Sequence, residues 1–473
     1  MYVRLILPAL AEAVAPHYRS IKYALFPPLG LATLAGHLGE DDRVTIEDEH
    51  VEPVDLVEED LPDLVAIQVY ITSARRAYEI ADHYRRLGVH VALGGLHVTS
   101  LPDEAAQHAD TILLGPGEDI WPAFLADLRA GRPGRVYRSR VRTLDGAPPA
   151  RRDLIRRDRY LVPNSVVVSR GCPHACDFCY KEAFYRGGRS FYTRRVDAAL
   201  EEIDGLPGRH LFFLDDNLFA SPPFAATLFD GLRGMGRVWQ AAATVAAVAR
   251  PGLLERAAAA GLRSLFVGFE TLAPANLRAQ HKTHNLTHDY TVAIRRLHDL
   301  GVMVNASFVF GLDGDDETVF DRTVDWAIAQ GVETATFHVL TPYPGTALYE
   351  RLAAEGRILT RDWDLYDTRH AVFSPARMSA QALEAGYWRA YERFYRWGSV
   401  VQAASTKPGW AARLRHVAYT GGWKKADRLW DLVIRAGWIG RFRPLLETVL
   451  AGRQAPCGAR GERGEAPAAL ADL

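Results

Sequence analysis

The chain has 473 residues, more than one domain usually holds, so we expect two or three domains with separate cores. Hydrophobic residues make up 48%, charged residues 24%, and the formal net charge is -1. These values exclude a mainly disordered chain and do not fit the basic excess of nucleic-acid binders. No apolar run approaches the roughly 18 to 20 residues that span a bilayer, so we expect a cytoplasmic protein.

Cysteine usage is the most informative feature of the composition. The chain has four cysteines, and three of them, Cys172, Cys176 and Cys179, fall within eight residues. This spacing excludes a disulfide framework. Cys457 lies in a tail of small and charged residues without apolar periodicity, so we predict that residues 451–473 are disordered and that Cys457 is not a ligand.

Residues 1–131 alternate short apolar runs with helical patterns, which predicts a doubly wound parallel sheet. Ligands of such sheets bind beyond the carboxyl ends of the strands, and small residues there let a large flat ligand approach the backbone. The alternative is that these residues only close tight turns. The candidate ligand-binding residues are Thr72, Ser73, Gly94, Gly95, His97, Gly115, Gly117 and Glu118.

Residues 132–163 are rich in Arg, Pro and Gly, which predicts a linker with a short hairpin. Residues 164–361 contain six βα units, which predicts a partial TIM-type barrel with its site at the carboxyl ends of the strands. The predicted barrel strands are 165–169, 210–214, 239–243, 264–268, 303–310 and 334–340.

Residues 362–450 have helical patterns and contain seven of the ten tryptophans. We expect these rings to pack as a core between helices. The alternative is a cap that shapes a large apolar cavity, or a surface that touches a membrane through Trp and Arg.

The three clustered cysteines form a C-x3-C-x2-C motif directly after the first predicted barrel strand. Three thiolates on one loop can hold three irons of a [4Fe-4S] cube and leave the fourth iron open. The amino and carboxylate groups of S-adenosylmethionine (SAM) suit that open iron. Zinc is an alternative, although His174 is the only local candidate for a fourth ligand.

The segment SRGCPHACDFCY resembles the cluster loop of the radical SAM superfamily, and the preceding α/β region resembles that of its cobalamin-binding subgroup. The phrases FFLDDNLF, FVGFETL, FVFGLDGD and LTPYPGTALY are similar to a widespread branch of that subgroup. The resemblance covers about residues 1–360.

The resemblance implies SAM contacts at seven positions on or near the carboxyl ends of barrel strands. Capping of a following helix is the alternative for the acidic and amide residues, and a solvated position is the alternative for the glutamate. The implied SAM-binding residues are Phe178, Asp215, Asp216, Asn217, Gly268, Glu270 and Gly311, and the implied cluster ligands are Cys172, Cys176 and Cys179.

The resemblance also implies cobalamin, held by the candidate residues of the first domain. A cobalt-ligating histidine would lie in a D-x-H-x-x-G motif, and the best match, Asp48 to Pro53, replaces the glycine with proline and follows the wrong strand. We therefore interpret His50 as an ordinary strand-end histidine. His97 and Tyr70 are the other candidates for the cobalt face. A domain that has lost its cofactor is the alternative.

Three further groups of polar residues follow barrel strands. We expect Lys282 and His284 to lie in a solvated basic loop, with contact to a carboxylate or proton donation as the alternative. The other residues are either substrate-facing or part of turns and helix flanks: Tyr343, Thr346, Asp367, Arg369 and His370.

The resemblance implies an enzyme that reductively cleaves SAM and, with cobalamin, methylates an unactivated carbon of a small or lipid-like substrate. It also implies a reducing partner such as flavodoxin or ferredoxin. A related enzyme for cyclisation, oxidation or rearrangement is one alternative, and a non-catalytic iron-sulfur or B12 sensor is another. No catalytic side chain, substrate or oligomeric state is predicted.

Overall fold

The computed structural model describes residues 1–13, 21–56, 59–425 and 427–451. Its strands build two parallel six-stranded sheets and one small antiparallel pair. The strands are β1 (Tyr2–Leu7), β2 (Arg43–Asp48), β3 (Leu64–Gln68), β4 (His90–Gly94), β5 (Thr111–Leu114), β6 (Val136–Arg138), β7 (Ser165–Val166), β8 (Ser169–Gly171), β9 (Phe191–Thr193), β10 (His210–Phe213), β11 (Val238–Thr244), β12 (Leu262–Glu270), β13 (Met303–Phe310) and β14 (Thr334–Val339).

The helices cover both faces of the first sheet, surround the second and form the C-terminal region. They are α1 (Leu29–Ala35), α2 (Ala74–Arg86), α3 (Leu96–Ser100), α4 (Pro102–Ala105), α5 (Trp121–Arg129), α6 (Tyr180–Phe184), α7 (Val196–Asp204), α8 (Pro222–Leu232), α9 (Val245–Ala249), α10 (Leu253–Ala259), α11 (Pro274–Ala279), α12 (Tyr290–Asp299), α13 (Val319–Ala329), α14 (Ala347–Ala354), α15 (Ala380–Phe394), α16 (Trp397–Ser405), α17 (Gly409–Lys424), α18 (Asp427–Arg435) and α19 (Ile439–Ala451).

The first sheet has the strand order β2-β1-β3-β4-β5-β6, with every pairing parallel. Its central strands are buried along most of their length because helices cover both of their faces. The doubly wound prediction is confirmed. The segment predicted as a linker with a hairpin instead contributes β6, which pairs with β5 in parallel and extends the sheet at its edge.

The second sheet has the order β14-β13-β12-β11-β10-β7, which confirms the partial six-stranded barrel. One apolar core joins its strands to the surrounding helices. All six strands are parallel, so their carboxyl ends meet at one rim. The short antiparallel pair β8-β9 stands beside this rim and carries the cysteine loop.

The C-terminal helices cover the opposite, amino end of the barrel strands. On α17, Thr420 Oγ1 donates to the carbonyl of Glu333, the residue before β14, at 2.6 Å. The Glu333 carboxylate is buried and pairs with Lys407 Nζ at 2.5 Å. None of the helices in the described ranges combines the length and apolar character needed to cross a membrane.

The expected tryptophan core is wrong for four of the seven rings. Trp388, Trp397, Trp410 and Trp438 are about half exposed or more. Trp363 instead packs against the first domain, where its indole N–H donates to Glu104. The predicted disordered tail with Cys457 lies outside the described residues.

Candidate functional site

The cysteine loop begins where β8 ends and finishes where α6 begins. Gly171 opens it with φ of 78°, and a Cβ there would lie 1.9 Å from the carbonyl oxygen of Ser190, the residue before the paired strand β9. The Cys172 N–H donates to that same carbonyl at 2.9 Å, and the Cys179 N–H donates to the Cys176 carbonyl at 2.9 Å. The loop therefore turns tightly and brings three cysteines to the rim of the barrel.

The three cysteines form a donor set that suits a buried iron-sulfur cube. Burial raises the pKa of the Cys176 thiol to about 12 and also raises that of Cys179, so at neutral pH these cysteines become thiolates only when metal ions replace their protons. Within the described ranges, no three His, Cys, Asp or Glu side chains converge on one metal position. A cube does not need such convergence, because each thiolate binds a different iron.

Two aspartates after β10, Asp215 and Asp216, accept hydrogen bonds from the residues that lead into the cysteine loop. Asp215 is buried, and its carboxylate accepts hydrogen bonds from the Val168 N–H and from the N–H and hydroxyl of Ser169. Burial raises the pKa of Asp215 to about 7. Its oxygens are therefore engaged by the strand that leads into the loop, which leaves little capacity for the SAM contact predicted from the sequence.

The next two residues lie closer to the cysteines. Asp216 accepts from the Gly171 N–H at 2.9 Å and pairs with Lys181 Nζ at 2.7 Å. The Asn217 amide nitrogen lies 3.7 Å from Cys172 Sγ, and its buried Oδ1 has no hydrogen-bond partner among the described residues. A buried acceptor without a partner is costly, so this oxygen is available to a ligand donor beside Cys172.

A second loop, residues 280–285, folds over the cysteine loop. His281 Nδ1 lies 2.7 Å from Asp177 Oδ1, and the Asp177 N–H donates to the Gln280 carbonyl. The rings of His174 and His284 stack with centroids 3.7 Å apart. These contacts attach the loop after α11 to both halves of the cysteine loop. The two loops are about a hundred residues apart in the sequence, so their contact could not be predicted from it.

Lys282 in this second loop is buried, so the expected solvated basic loop is wrong at this position. Its ammonium lies 2.7 Å from Glu270 Oε1 and 6.0 Å from the centre of the Phe178 ring. Burial lowers the pKa of Lys282, but attraction to Glu270 and to the cysteine thiols outweighs burial and leaves the pKa raised. A fixed positive charge thus lies beside the cluster loop.

The predicted residues Gly268 and Glu270 stand at the end of β12, where the register with β13 shifts. Glu270 has φ of 64°, a sparsely populated conformation for a residue with a side chain. A Cβ on Gly268 would lie 2.5 Å from Glu270 Oε1, so only glycine leaves room for this carboxylate. The strained backbone aims Glu270 at Lys282.

Gly311, after β13, is required by helix packing. It has φ of 95°, and a Cβ there would lie 2.7 Å from Leu383 of α15. Its N–H donates to Asp315. Among the other candidates, Thr346 caps α14, Tyr343 meets Tyr180 edge-on, Arg369 donates to the Tyr23 hydroxyl, and His370 pairs with Asp367.

A cleft lies between the carboxyl edge of the first sheet and the cysteine-bearing region. Five of the eight residues predicted for a flat ligand line it, whereas Thr72, Ser73 and His97 do not. The sequence reasoning missed Gln68, Arg170 and Tyr185, which gave no local signal. The predicted residues in the lining are Gly94, Gly95, Gly115, Gly117 and Glu118.

The inner wall of this cleft is apolar, with alanines on the sheet and larger side chains on the helices. Ala66 and Ala92 on the sheet face the helices α1 and α5, which contribute Leu34 and Trp121. At the mouth, Gly95 has φ of 112°, and a Cβ there would lie 2.8 Å from the Val69 carbonyl oxygen. A narrow apolar slot beneath a glycine-lined mouth fits a flat ring system with an aromatic tail, so these residues fit cobalamin.

The two histidines considered for the cobalt face each have one ring nitrogen beside a carboxylate. His50 Nδ1 lies 2.7 Å from Asp48, and His50 Nε2 accepts from the Leu10 N–H, which agrees with the interpretation as a strand-end residue. His97 Nε2 lies 3.0 Å from Glu104, and its ring packs against Trp363. Tyr70 is part-buried, and its hydroxyl accepts from the Gln68 amide at 3.0 Å.

The cleft and the cysteine loop share a wall. Arg170, two residues before Cys172, pairs with Glu118 of the first domain at 2.5 Å, and both side chains line the cleft. Attraction to Glu118 outweighs burial and raises the pKa of Arg170, so the guanidinium stays charged. The pair holds the strand that enters the cluster loop against the first domain.

Two protein-family models match the chain: the B12 binding domain over residues 23–125 and the radical SAM superfamily over residues 166–327. The chain is 28% identical over 400 residues to bacteriochlorophyllide d C-12(1)-methyltransferase of Chlorobaculum tepidum, covering 81% of this chain and 86% of the relative. It is 28% identical to hopanoid C-2 methylase of Rhodopseudomonas palustris, covering 72% and 66%.

A solved structure shares the fold over nearly the whole chain. It is the radical SAM methyltransferase TsrM from Kitasatospora setae with cobalamin and a [4Fe-4S] cluster bound, at 18% identity and a TM-score of 0.60, covering 92% of this chain and 99% of that one. The radical SAM domain implies a [4Fe-4S] cluster and SAM, and the B12 domain implies cobalamin. The chain therefore belongs to the radical SAM superfamily, as an enzyme with a B12-binding domain ahead of its radical SAM domain.

Proposed function

We propose that this enzyme methylates an unactivated carbon of a small or lipid-like substrate. The observation that carries the proposal is the shared wall formed by Arg170 and Glu118, which joins the cobalamin-type cleft to the strand entering the cluster loop. When bound, the cluster, SAM and cobalamin supply the radical and methyl-transfer chemistry. The protein must bring them together, orient them and exclude water.

The residues of the radical SAM domain have two proposed roles, as ligands of the cluster and as contacts of SAM. Cys172, Cys176 and Cys179 are the proposed cluster ligands. Asn217 offers the acceptor oxygen beside Cys172 that suits the SAM ammonium, and Lys282 offers a cation for the SAM carboxylate. Phe178, Asp216, Gly268, Glu270 and Gly311 remain proposed SAM-site residues, whereas Asp215 acts through the strand before the loop.

For cobalamin, the proposed contacts are the five predicted residues that line the cleft, because they leave the sheet edge open to a macrocycle. Thr72, Ser73 and His97 lie outside this lining, and their proposed role is to support the residues that form it. The names of the relatives, which act on a bacteriochlorophyllide and a hopanoid, support an apolar polycyclic substrate. A flavodoxin or ferredoxin is the proposed electron donor.

The test uses protein purified without oxygen and reconstituted with iron, sulfide and hydroxocobalamin. SAM with a deuterated methyl group is supplied with a strong reductant and a bacteriochlorophyllide or hopanoid as the candidate substrate. We expect stoichiometric cobalt, release of 5′-deoxyadenosine and S-adenosylhomocysteine together, and a deuterated methyl group in the product. Deoxyadenosine without S-adenosylhomocysteine in the presence of a converted substrate would refute methylation and identify a cyclase or rearrangement enzyme.

Two variants separate the two cofactor sites. Cys176→Ala should abolish the cluster absorption and deoxyadenosine release while cobalt binding persists. Glu118→Gln should weaken cobalamin retention while cluster absorption persists, because Glu118 lines the cleft and touches no cysteine. Loss of both cofactors in either variant would contradict this division of sites.

A further inference from the structure

Helices α16 and α17 pack as an antiparallel pair with large apolar side chains on their solvent side. On α16, Trp397 and Val401 are 53% and 58% exposed, and on α17, Trp410 and Leu414 are 70% and 60% exposed. A spacing of four residues places each pair on one helix face. A Cβ on Gly421 would lie 3.1 Å from the Trp397 ring, so this ring lies over the end of α17. We call this surface the α16–α17 face.

The charge of this segment is one-sided. Residues 396–425 contain six basic residues and no Asp or Glu, in a chain whose net charge is -1. Lys407 forms an ion pair with the buried Glu333, whereas Arg396, Arg413 and Lys425 are exposed. The Lys425 ammonium lies 6.0 Å from the centre of the Trp397 ring. Exposed rings, aliphatic side chains and cations therefore all lie on this pair of packed helices.

We propose that the α16–α17 face docks on an anionic lipid bilayer. Indole rings prefer the headgroup region, Val401 and Leu414 can enter the acyl boundary, and Arg413 and Lys425 can pair with lipid phosphates. A nucleic acid would use the cations and rings but would leave the two aliphatic side chains without an apolar partner. The combination of residues thus favours a bilayer over a nucleic acid.

The position of the face is compatible with an active enzyme on the membrane. Helix α17 covers the amino ends of the barrel strands, through Thr420 and the Glu333 carbonyl. The cysteine loop stands at the opposite end, so docking leaves the cleft open while it concentrates the enzyme at the membrane. This inference does not depend on methylation.

The test measures sedimentation of the reconstituted full-length protein with two kinds of vesicle. One contains phosphatidylcholine alone, and the other contains equal parts phosphatidylcholine and phosphatidylglycerol. We expect binding only to the second kind, lost at high salt. Trp410→Ser and Arg413→Glu should each reduce vesicle binding by about tenfold, since the first removes an interfacial ring and the second reverses a surface charge.

Two matched controls lie outside the face. Trp388→Ser on α15 removes a ring that is 51% exposed, and Arg361→Glu reverses an exposed charge. Both controls should bind anionic vesicles like the unmodified protein, and all four variants should keep its circular dichroism and its release of deoxyadenosine. Equal loss in the controls would overturn the proposal. So would absent binding of the unmodified protein, or a dimer in solution that Trp410→Ser dissociates while vesicles bind nothing.

Discussion

The Glu270–Lys282 ion pair lies beside the proposed cluster, and Glu270→Gln tests how its charges affect the reduction potential of the cluster. The substitution removes the negative charge but keeps an acceptor for Lys282, whose ammonium lies 2.7 Å from Glu270 Oε1. The positive charge of Lys282 is then no longer balanced by a negative charge, so reduction of the cluster becomes easier. We expect the midpoint potential of the cluster, measured without SAM, to rise.

The magnitude follows from the separation. The Lys282 ammonium lies 6.0 Å from the centre of the ring of Phe178, the neighbour of Cys179. We take about 10 Å as the order of its distance from a cluster bound at the cysteines. A unit charge at about 10 Å with an effective permittivity of about 20 contributes about 1.7 kcal/mol. For a one-electron couple, this free energy corresponds to a shift of about 70 mV.

The assay is a redox titration of the reconstituted protein followed by electron paramagnetic resonance. The double variant Glu270→Gln/Lys282→Met removes both charges, and its potential should return close to that of the unmodified protein. An unchanged potential in Glu270→Gln would refute the electrostatic argument. A shift of equal size in the double variant would show that the single substitution acts by disturbing the loop.

The remaining predictions concern stability and cofactor content. Lys407→Met removes the ammonium from Oε1 of the buried Glu333 carboxylate, while the Val304 N–H and His298 still contact Oε2. It should lower the free energy of unfolding by about 3–5 kcal/mol in urea titrations, with Glu333→Gln/Lys407→Met losing less. An exposed control, Arg435→Ala, should change stability by less than about 1 kcal/mol. Gly311→Ala should lower the melting temperature because of its positive φ and the approach of Leu383, and the background Leu383→Ala should relieve part of the loss. Cys176→Ser should retain less iron per chain than the unmodified protein when iron is measured after desalting, because thiolates hold the irons of such clusters and the variant lacks one of the three.

The cluster loop could be predicted from the sequence because its three proposed ligands lie within eight residues of one another. Local turns decide whether such close ligands can meet, and glycine at 171 marks the turn. The two parallel sheets were likewise predictable, because buried strands and amphipathic helices alternate with a clear period. The glycine-lined mouth of the cleft followed from the same rule on strand ends.

Tertiary structure decided which distant groups meet. Lys282 looked like a solvated residue, yet its loop folds over the cysteines and buries it against Glu270. Asp215 matched a SAM contact, yet the strand before the cluster loop engages its carboxylate. Nothing in the sequence around Arg170 indicated a role, because its partner Glu118 belongs to another domain.

The physical reason for this division is the range of the forces involved. The periodicity of apolar residues and the geometry of turns depend on near neighbours in the chain. The helices and strands, their order and the cysteine loop could therefore be predicted before the structure. Charge pairing and solvent exposure depend on residues brought together from far apart, as the exposed Trp410 and the buried Lys282 illustrate. Only the packed structure decided those.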